Sequence, residues 1–255
     1  MRELDGARSN FYANVSHELR TPLSLILGPV EELLRDESLG ERHRQHLDVV
    51  RRNALTLLKQ VNALLDLATI DAGEMELNYV RFDLGELVRT TAAHFDALAA
   101  QRGITFIVEA PAGLVVDVDP DKYERMVLNL LSNAFKFTPD SGWIRCRVEA
   151  TGAGRALLSV QDSGPGVEPE LRTEIFDRFH TGRAGGESGG TGLGLAIVKQ
   201  FAELHGGTVT VTDASAGGAL FQVELPRSAP PTSYVRVADV APVSHGADGD
   251  RHVSA

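Results

Sequence analysis

Apolar residues recur every three or four positions in two runs within residues 4–72. This spacing places them on one face of a helix, so it predicts two long helices. In the second run the steps alternate between three and four, as in coiled coils and four-helix bundles. The seam comprises Val15, Leu19, Pro22, Ile26, Val30, Leu33, Leu47, Val50, Ala54, Leu57, Val61, Leu64 and Ala68. Because a hairpin alone leaves this seam half exposed, we expect a homodimer that closes a four-helix bundle.

From about residue 74 the pattern changes to short alternating segments mixed with shorter helices. Strands are predicted at 104–109, 114–118, 144–148, 156–161, 208–212 and 219–225, and helices at 83–101, 119–137 and 192–205. Helices and strands mix without strict βαβ alternation, so the predicted fold class is α+β, with one layer of sheet and one of helix. Residues 228–255 are rich in proline and small polar residues, and we expect a flexible tail or linker there.

The composition narrows the class of protein. A net charge of −10 disfavours a nucleic-acid-binding protein, because such proteins carry a basic face. The single cysteine, Cys146, excludes an internal disulfide and a thiolate-rich metal site, and it fits a reducing, cytoplasmic location. No apolar run approaches the ~20 residues of a membrane-spanning helix, so no membrane contact is expected within this chain. Any anchor is expected to lie outside it.

The first helix carries a candidate nucleophile. His17 lies two residues after Val15 and two before Leu19, so it points away from the seam. Its imidazole, with an ordinary pKa of ~6.5, offers a neutral nitrogen at neutral pH. Glu18 could accept the proton from the ring, and Thr21, one turn on, could orient a water or a phosphoryl group. Taken alone, an exposed histidine of this kind is more often simply solvated.

A pair of asparagines follows in the second half. Asn129 and Asn133 are four residues apart on a predicted helix and face the same way. Their side-chain carbonyl oxygens suit Mg²⁺, which shares its remaining ligands with nucleotide phosphates. Lys136 adds a cation for those phosphates. Such asparagine pairs are also common on solvated helix faces.

Two glycine-rich segments complete the candidate chemistry. Asp162 follows a strand and precedes Gly164 and Gly166, so a ligand can approach the backbone closely while the carboxylate accepts a hydrogen bond from an adenine amine. Residues 190–194 lead into a helix, whose first N–H groups bind anions. Each segment alone is equally compatible with an ordinary turn or loop.

Together and in this order, the motifs resemble those of the sensor histidine kinases over about residues 4–226. The matching segments are 11–23 for the H box, 129–136 for the N box, 162–166 for the first glycine box, 176–179 for the F box and 190–194 for the second glycine box. The resemblance implies a dimerisation and phosphotransfer hairpin at 1–72, a GHKL-type (Bergerat) ATP-binding α/β sandwich at 73–227, and a tail at 228–255. It implies ATP and Mg²⁺ as cofactors, a homodimer through residues 4–72, and the receiver domain of a response regulator as partner.

The same resemblance assigns roles to individual residues. His17 is the phospho-acceptor, Glu18 its base, and Arg178 assists at the γ-phosphate. Thr21 corresponds to the position that orients water for dephosphorylation of the regulator, which implies a phosphatase activity. The implied nucleotide-binding residues are Asn129 as the Mg²⁺ ligand, Asn133, Lys136, Phe137 near the base, Asp162 at the adenine amine, Gly164, Gly166, Thr191, Gly192, Leu193 and Gly194. Residues 180–190 correspond to a mobile lid, and the segment 71–74 to a hinge.

Two rival interpretations use the same motifs differently. A GHKL-superfamily ATPase would direct the nucleotide chemistry at water and leave no labelled protein. A non-enzymatic dimerisation scaffold would have degraded nucleotide motifs, which this sequence does not have. The exposed histidine–glutamate pair on a helical hairpin favours the kinase, because an ATPase has no use for it.

Overall fold

The computed structural model describes residues 21–36, 38–152, 154–180, 191–214, 217–231, 233 and 236–237. Residues 21–34 are the described part of helix α1, and α2 is Glu41–Asp71, so the predicted hairpin is present. His17 and Glu18 lie outside the described residues. No helix among the described residues is long and apolar enough to cross a membrane.

The hairpin has two apolar faces, and the predicted seam takes residues from both. Leu23 and Leu27 of α1 pack against Ala54 of α2, with Leu58 at the edge of this small core. Of this small core only Ala54 belongs to the predicted seam, and five positions of that seam are instead 42–48% exposed within one chain: Ile26, Leu33, Val50, Leu57 and Leu64. A helix in a four-helix bundle contacts two neighbours, so a hairpin needs an inner face and an outer face. In α1 the predicted seam includes Ile26 and Leu33 of the outer face and omits Leu23 and Leu27 of the inner face.

A mixed α+β domain follows the hairpin. Its elements are β1 Val80–Asp83, α3 Leu84–Ala93, α4 Asp96–Arg102, β2 Thr105–Glu109, β3 Val115–Val118, α5 Pro120–Phe137, β4 Trp143–Thr151, β5 Arg155–Asp162, α6 Gly194–Leu204, β6 Thr208–Asp213, β7 Ala219–Pro226 and β8 Arg236–Val237. The main sheet has the order β2-β4-β5-β7-β6, antiparallel except for the parallel pair β2–β4. Helices α3, α5 and α6 pack over one face of it.

Strand alternation separates the two faces of the main sheet. Ile144, Cys146 and Val148 of β4 are fully buried beneath the helices, whereas Arg145 and Arg147 between them are exposed on the opposite face. Burial raises the pKa of the Cys146 thiol to about 12, so this side chain is a small core residue. The predicted two-layer sandwich is therefore confirmed.

Two parts of the domain differ from the sequence prediction: one helix, and a second, small three-stranded sheet of order β3-β1-β8. The helix expected from Asp83 to about Gln101 is two helices, α3 and α4, separated by a turn at His94 and Phe95. Strand β1 was not predicted; it pairs antiparallel with β3 and parallel with β8. Strand β8 lies in the segment expected to be a tail, at Arg236–Val237, so part of that segment returns to the domain.

Two predicted helix starts carry the expected caps. The Asp83 carboxylate accepts from the backbone N–H of Gly85, and Asp119 accepts from that of Lys122, with Pro120 at the first turn of α5. Such side chains satisfy N–H groups that have no partner within the helix. The caps fix where α3 and α5 begin, and α5 carries much of the candidate site.

Candidate functional site

Helix α5 meets the start of α6 at Asn129. This asparagine is buried, and a Cβ added to Gly194 would lie 3.3 Å from its Oδ1. Because α6 begins at Gly194, the amide faces a helix N-terminus, where unpaired N–H groups favour anions. Asn133 lies one turn further along α5 and is half-buried. The structure therefore places Asn129 against the end of the second glycine segment, at Gly194.

Asp162, at the end of β5, is held in a fixed orientation. It is 3% exposed, and its Oδ1 accepts hydrogen bonds from the N–H groups of Gly164 (2.8 Å) and Ala219 (3.3 Å). Burial raises the pKa of this carboxyl, and the two N–H donors partly oppose that effect. Both of these bonds use Oδ1, so Oδ2 can serve as an acceptor for a ligand.

Glycines are required on both sides of this carboxylate. A Cβ at Gly164 would lie 2.9 Å from the carbonyl oxygen of Phe137, and a Cβ at Gly218 would overlap the backbone of Asp162 itself. Gly166 and Gly218 also have positive φ angles, +78° and +92°. Sequence reasoning missed Gly218, although the pair Gly217–Gly218 before a strand was a usable signal.

One helix thus backs both glycine segments. Gly194 contacts α5 at Asn129, and Gly164 contacts it at Phe137, eight residues further on. At 1.5 Å per residue the two contacts are ~12 Å apart along the helix. That separation suits a ligand with a flat ring at one end and anionic groups at the other.

We call the surface of α5 between Asn129 and Phe137, bounded by the two glycine segments, the groove; Lys136 and Phe137 lie at its end beside Asp162. The Lys136 ammonium nitrogen is 4.9 Å from the centroid of the half-exposed Phe137 ring, a cation–π contact. Phe137 is adjacent to the Asp162–Gly164 turn, in keeping with a position near a base. The lysine was expected to contact phosphate; here its nitrogen rests on the aromatic ring.

A hydrogen bond joins the two chain segments that flank the predicted lid. The Phe179 N–H donates to the carbonyl oxygen of Gly192 at 3.0 Å, so the chain segments on either side of residues 181–190 are joined. Gly192 has φ of +68°, and a Cβ there would lie 2.5 Å from the carbonyl carbon of Phe179. Thr191 is half-buried and Leu193 belongs to the core. Residues 181–190 themselves lie outside the described residues.

Arg178 has a partner that the sequence did not suggest. Its two terminal nitrogens each lie 2.6 Å from a carboxylate oxygen of Asp71, the last residue of α2. This bidentate bond raises the pKa of the guanidinium. The two residues are 107 positions apart, so no local pattern could have revealed the pair. Thr21 is an exposed residue of α1.

Two family models match the chain. Residues 118–229 match "Histidine kinase-, DNA gyrase B-, and HSP90-like ATPase", and residues 7–73 match "His Kinase A (phospho-acceptor) domain". Each match falls on one of the two parts expected from the sequence: the hairpin and the sandwich. No group of three or more His, Cys, Asp or Glu that could hold a metal ion occurs in the described part of the chain.

Individual proteins agree with these models. The chain is 56% identical over 238 residues to the sensor histidine kinase TmoS of Ectopseudomonas mendocina, covering 92% of this chain but 24% of TmoS. The solved full-length ShkA in complex with AMPPNP is 32% identical, with a TM-score of 0.70, covering 87% of this chain and 46% of ShkA. The catalytic domain of the histidine kinase ThkA is 30% identical, with a TM-score of 0.54, covering 60% of this chain and 99% of that domain. ThkA solved with the response regulator protein TrrA is 25% identical, with a TM-score of 0.58, covering 89% of this chain and 64% of that one.

Proposed function

The chain belongs to the histidine kinase family, and from this membership we propose that it transfers the γ-phosphoryl group of Mg-ATP to His17 and then to an aspartate of a response regulator. The chain spans about a quarter of TmoS, so the activity of a whole protein is part of this proposal. The observation that carries it is the groove along α5, with Asn129 facing the start of α6 at one end and Asp162 fixed beside Phe137 at the other.

Asp162 selects the adenine ring. Its Oδ1 is already engaged by two backbone N–H groups, so Oδ2 accepts from the exocyclic amine of the base. A ring bearing a carbonyl at that position would place an acceptor against this acceptor and be disfavoured. Phe137 lies beside the same turn and covers one face of the base. Gly164 and Gly166 allow the backbone to approach it closely.

Asn129 is the residue proposed to hold Mg²⁺, with Asn133 in support. An amide carbonyl is the hard oxygen donor that this ion prefers, and Asn129 faces Gly194 at the anion-binding end of α6. When bound, Mg²⁺ offsets negative charge on the β- and γ-phosphates. The backbone N–H groups of residues 191–194 donate to the same phosphates, and Lys136 turns from the Phe137 ring to contact them.

The transfer itself is an in-line displacement. A ring nitrogen of His17 forms a bond to the γ-phosphorus, the bond from that phosphorus to the β–γ bridging oxygen breaks, and ADP leaves. Glu18 accepts the proton of the other ring nitrogen, which keeps the imidazole nucleophilic. Arg178 stabilises charge on the transferring group. In a separate reaction, Thr21 orients a water that attacks the phosphoaspartate of the regulator, which releases inorganic phosphate and restores the carboxylate.

The hairpin supplies the dimer and the partner surface. We propose a homodimer through residues 4–72, because the exposed face of Ile26, Leu57 and Leu64 needs a second hairpin to cover it. We place the boundary between the two functional parts at 72/73, where Gly73 with φ of +69° follows α2. Segment 71–74 then serves as the hinge through which the ATP-binding domain reaches His17.

The test is acid-labile labelling of the protein. The purified chain and His17→Gln are incubated with Mg²⁺ and γ-labelled ATP, and protein-bound label is followed before and after acid treatment. We expect label on the parent that acid removes and only background label on the variant, since His17 is the proposed nucleophile. The binding of a fluorescent ATP analogue is measured in both to confirm that the groove is intact.

Two outcomes would replace the proposal. ATP hydrolysis by both proteins without labelled protein would identify a GHKL-superfamily ATPase that uses water as the acceptor. The absence of all three signals, namely ATP hydrolysis, labelled protein and binding of the analogue, would identify a dimerisation scaffold.

A further inference from the structure

The C-terminal end of α2 is bound to the ATP-binding domain at two charged contacts. Asp66 pairs with Arg125 of α5, and Asp71 pairs with Arg178. Leu67, between the two aspartates, is buried and belongs to the main core of the domain. The end of the hairpin therefore docks on the domain through these two ion pairs and apolar contacts of Leu67, Ala63 and Ile70.

The arginines of the two ion pairs have different surroundings. The Arg125 guanidinium lies 5.1 Å from the centroid of Phe201, a buried core residue, so Arg125 is fixed by packing as well as by charge. Arg178 instead belongs to the segment that leads into the lid. The next residue, Phe179, is hydrogen-bonded to Gly192 of the second glycine segment. The backbone at 178 is thus beside the phosphate end of the groove, while its side chain is turned to α2.

The geometry of the Arg178–Asp71 pair withholds the arginine from other anions. Both terminal nitrogens of Arg178 bind the Asp71 carboxylate at 2.6 Å, so they are not available for a bidentate bond to a phosphate. The two side chains are 38% and 39% exposed, and an ion pair of that exposure is weak enough to be exchanged. The contact can hold the arginine at rest and still be broken.

We propose that Asp71 is a latch that keeps Arg178 away from the γ-phosphate until α2 shifts against the ATP-binding domain. The proposal rests on the function proposed above and adds how that site is regulated. Asp71 is the last residue of α2 and Gly73 follows with φ of +69°, so a rotation of the helix moves the carboxylate directly. Opening the latch exchanges one anionic partner of Arg178, a carboxylate, for another, the phosphate.

The test compares three variants with the parent under saturating Mg-ATP. Asp71→Asn removes the charge with little change in shape, Asp71→Glu keeps a carboxylate, and Asp66→Asn breaks the neighbouring ion pair, which does not involve Arg178. We expect Asp71→Asn to raise the initial rate of acid-labile labelling about two- to fivefold, the factor that an exposed ion pair contributes. Asp71→Glu and Asp66→Asn are expected to label at close to the parent rate.

A second readout separates the latch from the proposed function. The affinity for a fluorescent ADP analogue is measured in all four proteins and is expected to be equal, because ADP lacks the γ-phosphate that Arg178 would contact. Equal or slower labelling of Asp71→Asn would overturn the latch while leaving the kinase intact. An equal rise in Asp66→Asn would also overturn it, since undocking alone would then account for the effect. Nucleotide binding without label in any protein, the parent included, would overturn the proposed function and the latch with it.

Discussion

At the scale of single residues, Asp162 gives the sharpest prediction. In Asp162→Asn the Oδ1 acceptor for Gly164 and Ala219 is retained, while a donor NH₂ replaces Oδ2 and faces the adenine amine. Losing a charged hydrogen bond costs about 1.5–3 kcal/mol. We therefore expect ATP affinity to fall about 10- to 100-fold in isothermal titration calorimetry, with little change in thermal stability.

The control for this variant is Asp117→Asn. Asp117 is also buried, and it forms an ion pair with Arg81 in the small sheet, away from the groove. We expect Asp117→Asn to lower thermal stability and to leave ATP affinity unchanged. Unchanged ATP affinity in Asp162→Asn would show that Asp162 does not read the base.

The sequence could reveal functional residues that stand in a short motif, because their neighbours along the chain mark them. Asn129, Asp162 and Gly194 each stand in a short motif, and the structure brings them to the same groove. Asp71 has no such local context. It matters because Arg178 is folded against it, 107 positions along the chain, so no pattern in the sequence could reveal the pair. Gly218 had a local signal in the pair Gly217–Gly218, but its cause, the close approach of the Asp162 backbone, is visible only in three dimensions.

At the scale of elements, His205 joins the two helices that frame the groove. The backbone N–H of Asp119 donates to Nε2 at 3.2 Å, and Nδ1 donates to the carbonyl oxygen of Phe201 at 2.7 Å. Tyr79 lies edge-on to the ring. This network ties the cap of α5 to the end of α6, and it requires the neutral imidazole because Nε2 acts as an acceptor.

The network predicts a loss of stability in acid. Burial lowers the pKa of His205, Lys122 also lowers it, and the Phe201 hydrogen bond and Asp119 oppose them. The unfolded chain takes up this proton as the pH falls through ~6.5, whereas the folded chain does not until lower pH. The free energy of unfolding therefore falls with pH below ~6.5, by at most ~1.4 kcal/mol per pH unit from this residue.

The measurement is urea unfolding at pH 7.5 and pH 5.5 for the parent and His205→Gln. The variant lacks the titrating group, so we expect it to be less stable at pH 7.5 but to lose less on acidification. The carboxyl groups that titrate at lower pH are common to both chains, so the difference isolates His205. An equal loss in both chains would contradict the assignment.

Helices and strands could be predicted to different degrees. The start of α5 was predictable because two adjacent residues mark it: Asp119 caps the helix and Pro120 begins it. Strand β1 was not, since it has only four residues and its partners are β3 and a segment more than 150 positions later. The break between α3 and α4 also has no proline or glycine to announce it.

At the scale of the whole molecule, the hairpin's exposed face is the feature that one chain cannot explain. Leu57 and Leu64, two turns apart on α2, are 48% and 46% exposed. Burying a leucine contributes about 1.5–3 kcal/mol, and a two-fold interface counts each residue twice. Because each leucine is already about half-buried within one chain, Leu57→Glu combined with Leu64→Glu removes on the order of 3–6 kcal/mol and brings like charges together across the axis.

We expect this double variant to be monomeric in analytical ultracentrifugation at concentrations where the parent is a dimer, with nucleotide affinity retained because the groove is formed within one chain. The matched control is Leu98→Glu, which changes a leucine of 37% exposure in α4 and should leave the dimer intact. A dimer that persists in the double variant would place the interface elsewhere. A monomer that still binds ATP but no longer acquires acid-labile label would show that His17 is phosphorylated by the partner subunit, whereas continued labelling would show that each chain phosphorylates its own histidine.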